Sequence, residues 1–249
     1  MIFGVMDVPK NVIVNADDLG LNPSTNAAIL HCFIKGYINS ASLLTNTVAF
    51  DGAVSLIHQN PCMQNIGVHI NFAEGKPILF NNKKFLDDNG CWNIKITNKI
   101  FQILNVQERL QFLNEIYAQI DRALENNIIL THLDSHYHLH TLPCFFNLFI
   151  RAAKHYKLKV RLAQTYREGS YIKYWFRIYL NQLLKRNGLN YTTCFETVER
   201  FVNRKVGSED HTIEVMLHPD FDINGVLTDH TGAKTMKQWL SFLSEPGIF

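Results

Sequence analysis

Short β-branched runs alternate with helix-patterned stretches along most of this chain, and that alternation limits its fold more than any other feature. Val12-Ile13-Val14 stops at Asn15-Ala16-Asp17-Asp18-Leu19-Gly20, where polar residues and a glycine interrupt the run. Asn22 followed by Pro23 predicts a helix start, and Gly36 its close. Ala41 to Thr45 and Ile66 to Ile70 read as further strands, with a helix over Ala49 to His58 between them. Glu108 to Asn126 carries Leu110, Leu113, Ile116, Ile120 and Leu124 at the spacing of one helical face. Ile128-Ile129-Leu130 opens a fourth strand, a helix follows Pro143, and Lys159 to Ala163 reads as extended. Tyr171 to Arg186 predicts an aromatic-rich helix ended by Asn187-Gly188, and Ile213 to Leu217 is the last clear strand. Such an order implies an α/β fold, with parallel strands joined by helical crossovers. The polar clusters fall at the C-terminal ends of the strands, where a (β/α) barrel gathers its chemistry because the strand-to-helix loops converge there.

At 249 residues with 47% hydrophobic side chains, the chain reads as one domain. The stretch from Phe72 to Val106 breaks the rhythm with Gly75, Pro77, Asn81-Asn82 and Asp88-Asn89-Gly90, so it is expected to leave the core as an excursion. A net charge of +2, from 24 basic against 22 acidic residues, gives no case for a nucleic-acid partner. The cysteines (Cys32, Cys62, Cys91, Cys144, Cys194) are odd in number and form no CxxC pair. They read as reduced core thiols, which points to the cytoplasm. The opening MIFGVMDVPKN lacks the basic start and apolar run of a signal peptide. No stretch reaches the ~20 apolar residues of a membrane span.

Three features carry chemistry. Asp17-Asp18 sets two carboxylates side by side at the end of an apolar strand, where they are costly to desolvate without a positive partner. His69 stands in an otherwise apolar strand, where a lone histidine is commonly a packing residue. The run His132-Leu133-Asp134-Ser135-His136-Tyr137-His138-Leu139-His140 alternates four histidines and one aspartate, so an extended chain would put them on one face. Neutral imidazole is a common ligand of divalent metals, and carboxylates fix the tautomer of such ligands. Arg161 and His218, the latter in Met216-Leu217-His218-Pro219, fall on the same inferred catalytic face.

The Asn15–Gly20 block, Gly67-Val68-His69, the His132–His140 run and the Met216–Asp220 segment together resemble the four signature blocks of the YdjC-like carbohydrate deacetylases. They appear in that family's order from position 12 to about 220, although Asp220 stands where family members usually carry glycine. The resemblance implies an irregular (β/α) barrel related to polysaccharide deacetylases. It also implies one divalent ion held by Asp18, His69 and His136, with an acetylated sugar as substrate. Two histidines and a carboxylate suit Zn²⁺, Co²⁺, Mn²⁺ or iron, whereas Mg²⁺, which the resemblance leaves open, prefers oxygen ligands. Amide hydrolysis needs a base and an acid of different pKa, and these roles fall to Asp17 and His218. By analogy with related deacetylases, Arg161 orients Asp17; Asp134 and His138 are candidate supports for the metal ligands. A deacetylase of a lipid-linked sugar, a metal-dependent phosphoesterase and a non-catalytic sugar- or metal-binding module are the competing readings. The phosphoesterase lacks an obvious phosphate-cradling glycine loop. The aromatic surplus of Tyr171 to Arg186, set among Lys173, Arg177, Lys185 and Arg186, is more than one buried face requires. It suits a core-covering helix, a homodimer interface or contact with a membrane surface.

Overall fold

The structure, a computed structural model, describes residues 8–166, 170–203, 212–232 and 234–244. Residues 1–7 of the opening segment, which lacks the pattern of a signal peptide, lie outside the described residues. In chain order the elements are β1 (Val12–Leu19), α1 (Pro23–Lys35), β2 (Ser40–Leu43), α2 (Phe50–Gln59), β3 (Ile66–Ile70), α3 (Ile94–Thr97), α4 (Val106–Glu125) and β4 (Leu130–Ser135). They continue with α5 (Phe146–Tyr156), β5 (Lys159–Val160), α6 (Tyr171–Arg186), β6 (Cys194–Thr197), α7 (Val198–Asn203), β7 (Ile213–Leu217), β8 (Pro219–Phe221), β9 (Leu227–Asp229) and α8 (Thr235–Ser244). Strands hydrogen-bond in the order β2-β1-β7-β6 in one part of the chain and β5-β4-β3 in another, and β8 with β9 form a separate antiparallel ribbon. β1 pairs in parallel with both β2 and β7, β7 with β6, and β4 with β5, which is the α/β class expected from the alternation. The chain divides into two compact units: Met1–Leu43 with Val48–Ile66 and Thr192–Phe249, and Leu44–Thr47 with Gly67–Tyr191.

The first unit is built on β1, which is buried nearly throughout. The signals around α1 act as the sequence predicts. Asn22 caps its first turn by accepting from the Thr25 amide at 2.9 Å, and Pro23 opens the helix. Gly36 closes it at φ 71°, a left-handed conformation that costs glycine little. Trp239 on α8 is fully buried, stacks on Phe242 and donates to the Tyr37 carbonyl at 2.8 Å. β6, α7, the β8–β9 ribbon and α8 carry no strong periodic pattern and are additions to the elements read from sequence.

The second unit corrects three expectations. The residue 72–106 excursion does contribute to the core: Phe80, Phe85 and Trp92 are buried and pack with Phe112 of α4, which in turn meets Phe72 and Phe145. A buried carboxylate fastens that segment, because Glu115 of α4 accepts from the amides of Ile78, Leu79 and Phe80 at 2.7–3.0 Å. Hydrogen bonds of this kind replace the water the carboxylate loses. The buried face of α4 is accordingly Phe112, Leu113, Ile116, Ile120 and Ala123 with Glu115 and Gln119, while Leu110 and Leu124 are exposed. Second, α6 buries only Leu180, Asn181 and Leu184; Trp175 and Tyr179 are 62% and 59% exposed, so neither is a core residue. Third, the histidine run is not one extended strand. β4 stops at Ser135, and His136–Thr141 coils into a 3-10 turn with Tyr137 and His138 both at φ 54°.

The expectation of core thiols fits Cys32, which is buried, but not Cys62, which is exposed; all five cysteines are unbridged. Burial pushes the Cys32 thiol up to about 12.

Gly67 on β3 shows why a strand glycine can be structural. A Cβ there would lie 2.3–2.5 Å from the buried His132 ring of β4, which stacks on Tyr191 at 4.2 Å. Gly67→Ala is expected to destabilise the protein by about 1–3 kcal/mol through overpacking. The midpoint of urea denaturation measures it; an unchanged midpoint would show that the ring yields without cost.

Candidate functional site

In the first unit the Asp17-Asp18 pair lies where β1 departs from regular pairing. The register with β2 runs Asn15–Ser40 and Ala16–Ala41, then slips before Leu19–Leu43. Asp18 adopts φ 70°, a left-handed conformation that non-glycine residues seldom take and that recurs at functional sites. In a regular strand neighbouring side chains point to opposite faces. At this irregularity both carboxylates meet histidines of one segment. Asp17 Oδ2 lies 3.9 Å from His218 Nε2, and Asp18 Oδ2 3.2 Å from His230 Nε2, while the two imidazole rings are 5.2 Å apart. Asp17 and Asp18 are each 1% exposed. A polar ladder keeps the first of them in place: Ser40 Oγ donates to Asn15 Oδ1, and Asn15 Nδ2 donates to Asp17 Oδ1 and Ser42 Oγ, each at 2.7–2.8 Å.

His218 follows β7 directly and is fixed by the β8–β9 ribbon. Its amide donates to Asp229 Oδ2 at 2.8 Å, and Thr231 Oγ1 lies 3.1 Å from its Nδ1. Asp229 also accepts from the amides of Thr231 and Gly232 and from the Thr231 hydroxyl. Burial alone would raise the Asp229 carboxyl, but the hydrogen bonds and charge of His218, with the Thr231 hydroxyl, outweigh it and hold the group below its ordinary value. Hydrogen bonding to Asp18 raises His230 above the usual histidine value against the opposing effect of burial. A cavity of about 700 Å³ in this unit is lined by His218, Asp229, Thr231, Glu199, Lys234 and Gln238 among others.

In the second unit three strand ends converge on Asp134. His69 of β3 donates from Nδ1 to Asp134 Oδ1 at 2.7 Å, and Arg161, just past β5, donates from Nη2 to Asp134 Oδ2 at 2.8 Å. Asp134 and Arg161 are fully buried and His69 nearly so. Burial would raise the Asp134 carboxyl, yet the Arg161 charge and then His69 hold it well below the usual carboxylate range. The four histidines of the run part company. His132 packs against Gly67 and Tyr191. His136, at the first position of the 3-10 turn, has its ring 5.5 Å from that of His69 and its Nε2 2.7 Å from Glu74 Oε1. His138 is partly exposed on the turn, and His140 is buried against Ser135, which receives its amide and pairs with its Nδ1. Burial drives His140 well below the ordinary histidine value, so it is a neutral packing group.

Among the described residues, the side chains that could hold a metal ion are Asp17 and Asp18 in the first unit and His69, Asp134 and His136 in the second. Imidazole and carboxylate donors suit zinc and its first-row neighbours. Of these, Asp134 already commits its two oxygens to His69 and Arg161. The sequence carries no signal that marks Glu74, Asp229 or His230 as site residues. Glu74 is hidden among turn formers, and the other two stand in a short ribbon without periodic signal.

The chain belongs to the YdjC-like protein family, whose model matches residues 11–244. A carbohydrate deacetylase of Listeria monocytogenes serotype 4b (strain CLIP80459) is 30% identical over 210 residues, covering 84% of this chain and 81% of its own. One from Brevibacillus brevis is 28% identical over 236 residues, covering 94% and 90%. The crystal structure of a cellobiose-phosphate cleavage protein of Enterococcus faecalis V583, so described, superposes with a TM-score of 0.69 over 94% of this chain and 90% of that one. At 18% identity it bears on the fold alone. Among the described residues, no helix is long and apolar enough to cross a membrane.

Proposed function

We propose that this protein is a metal-dependent hydrolase that removes N-acetyl groups from amino sugars or short N-acetylated oligosaccharides. The carbohydrate deacetylases that align with more than four-fifths of the chain support the substrate class. The observation that carries the reaction type is the placement of Asp17 opposite His218, a buried carboxylate facing an imidazole at 3.9 Å. The family match runs without a break through both compact units, which favours one functional domain.

Asp18, His69 and His136 are the proposed ligands of a single divalent ion, with zinc the best fit to the donor set and cobalt, manganese or magnesium the alternatives. Such an ion, when bound, supplies Lewis acidity toward the acetamide carbonyl and toward water. Asp17 takes the proton from the attacking water. Its Oδ1 accepts from Asn15, and its Oδ2 is the oxygen that faces His218. The water oxygen bonds the carbonyl carbon, and His218 gives its proton to the nitrogen as the C–N bond breaks, yielding acetate and a free amine. Thr231 and Asp229 hold the Nδ1 side of the His218 ring, which directs Nε2 toward the reacting atoms. Arg161, which by analogy with related deacetylases orients Asp17, also pairs with Asp134, whose other oxygen fixes the His69 ring and so the nitrogen it presents to the ion.

Incubation with N-acetylated chitooligosaccharides and, separately, with aryl phosphates tests the reading. Acetate release with an equivalent of free amine is the expected result. Phosphate release would replace it with the phosphoesterase, and release of neither product from a metal-loaded sample would leave a binding module.

A further inference from the structure

Glu74 has no place in the reaction just described, yet it makes one of the shortest polar contacts in the second unit. Its Oε1 lies 2.7 Å from His136 Nε2. A network that begins in the strand before it sets its position. Asn71, directly after β3, accepts from the amides of Ala73 and Glu74 through Oδ1 at 2.8 and 3.2 Å, and donates from Nδ2 to the Glu74 carbonyl at 2.9 Å. Asn71 is itself anchored on both sides of its backbone: its amide donates to Gln119 Oε1 at 2.8 Å, and its carbonyl accepts from Gln119 Nε2 at 3.0 Å. Asn71 and Gln119 are fully buried, so the turn that carries Glu74 is fastened to α4 even though the Glu74 side chain is about half exposed.

The arrangement repeats what Asp134 does for His69. In each case a carboxylate oxygen 2.7 Å away takes one ring nitrogen: Nδ1 of His69 by Asp134, and Nε2 of His136 by Glu74. A carboxylate in that position fixes the tautomer and the rotation of the ring and makes the opposite nitrogen a better donor. We infer that Glu74 is a positioning residue for metal binding, the carboxylate that orients His136 so that a divalent ion is met by Nδ1 rather than Nε2. The two histidines would then present different nitrogens, Nε2 from His69 and Nδ1 from His136. The 3-10 turn gives a reason for the difference, since His136 begins a coiled segment while His69 projects from a regular strand. This inference rests on the metal reading proposed above.

The test is calorimetric titration of metal-stripped protein with Zn²⁺, run on the wild type and on Glu74→Ala and Glu74→Gln, with Co²⁺ absorption spectra of the same samples. Circular dichroism checks that the variants are folded. The expected result is a 10- to 100-fold weaker affinity for Glu74→Ala, the usual effect of losing such a partner. Glu74→Gln keeps an oxygen to accept from Nε2 and should recover most of that loss. The Co²⁺ spectrum of each variant, once saturated, should keep the wild-type band positions, because the ligands are unchanged. Wild-type affinity in Glu74→Ala would overturn the inference while leaving the metal reading intact. Equal losses in both variants, with a shifted Co²⁺ spectrum, would make Glu74 a ligand and also overturn it. A wild type that binds no Zn²⁺ would remove the metal reading, and this inference with it.

Discussion

Asp17→Asn will keep its metal and lose activity on N-acetylated sugars by 10²- to 10⁴-fold, the range of a general acid–base group. The substitution conserves size, and the side-chain oxygen can still accept from Asn15 Nδ2, so the Ser40–Asn15–Asp17 ladder survives. What it removes is the capacity of Oδ2 to take a proton in front of His218. Steady-state rates of acetate release, paired with elemental analysis of the same preparation, check both halves of the expectation. The two aspartates are adjacent, so Asp18→Asn is the necessary companion. If Asp18→Asn keeps the metal while Asp17→Asn loses it, ligand and base have been assigned the wrong way round.

How much of this was open to a reader of the sequence follows from what each signal depends on. The helix α1 was legible because its start and stop are local: an Asn22 cap, a proline at the first turn and a glycine at φ 71° need nothing from the rest of the chain. β1, β3, β4 and β7 were legible as apolar runs ending in polar groups, and so were the residues that close them, Asp17, Asp18, His69, Asp134 and His218. Lys159 to Ala163 reads as extended, but only Lys159–Val160 pairs as a strand while Arg161 turns to Asp134. The histidine run misled for a different reason. Alternation implies one face only while the chain stays extended, and two successive left-handed residues, Tyr137 and His138, end that at Ser135. No periodic pattern announces φ > 0 at a tyrosine and a histidine; the turn is closed by the Ser135–His140 pair, five residues apart.

Glu74 and Asp229 were invisible because their roles exist only through partners distant in sequence. Glu74 meets a histidine 62 positions away, and Asp229 holds His218 across a two-stranded ribbon. Residues 72–106 read as an excursion because their turn formers are conspicuous and their anchor is not. That anchor is Glu115, a carboxylate on what looks like an apolar helix face, and nothing in a periodicity marks a charged residue as buried. Its burial is explained once three backbone amides are seen to satisfy it.

His69→Ala and His136→Ala will each strip the protein of most of its metal, and they will differ in what else they do. Each removes one of three proposed ligands, a loss well beyond the 10- to 100-fold attached to a supporting partner. Removing the His69 ring also takes a donor from Asp134, which is fully buried. Arg161 still neutralises that carboxylate at 2.8 Å, so the domain should remain folded at a cost of about 1–3 kcal/mol for the lost hydrogen bond. The partner of His136, by contrast, is a half-exposed Glu74 that water can solvate once the ring is gone. His136→Ala should therefore lower the thermal midpoint less than His69→Ala while losing metal to the same degree. Elemental analysis and thermal denaturation of the two variants, side by side, decide the point. Full metal content in either variant would break the ligand assignment. Equal loss of stability in both would mean that the Asp134–Arg161 pair does not isolate the His69 site as the hydrogen bonds indicate.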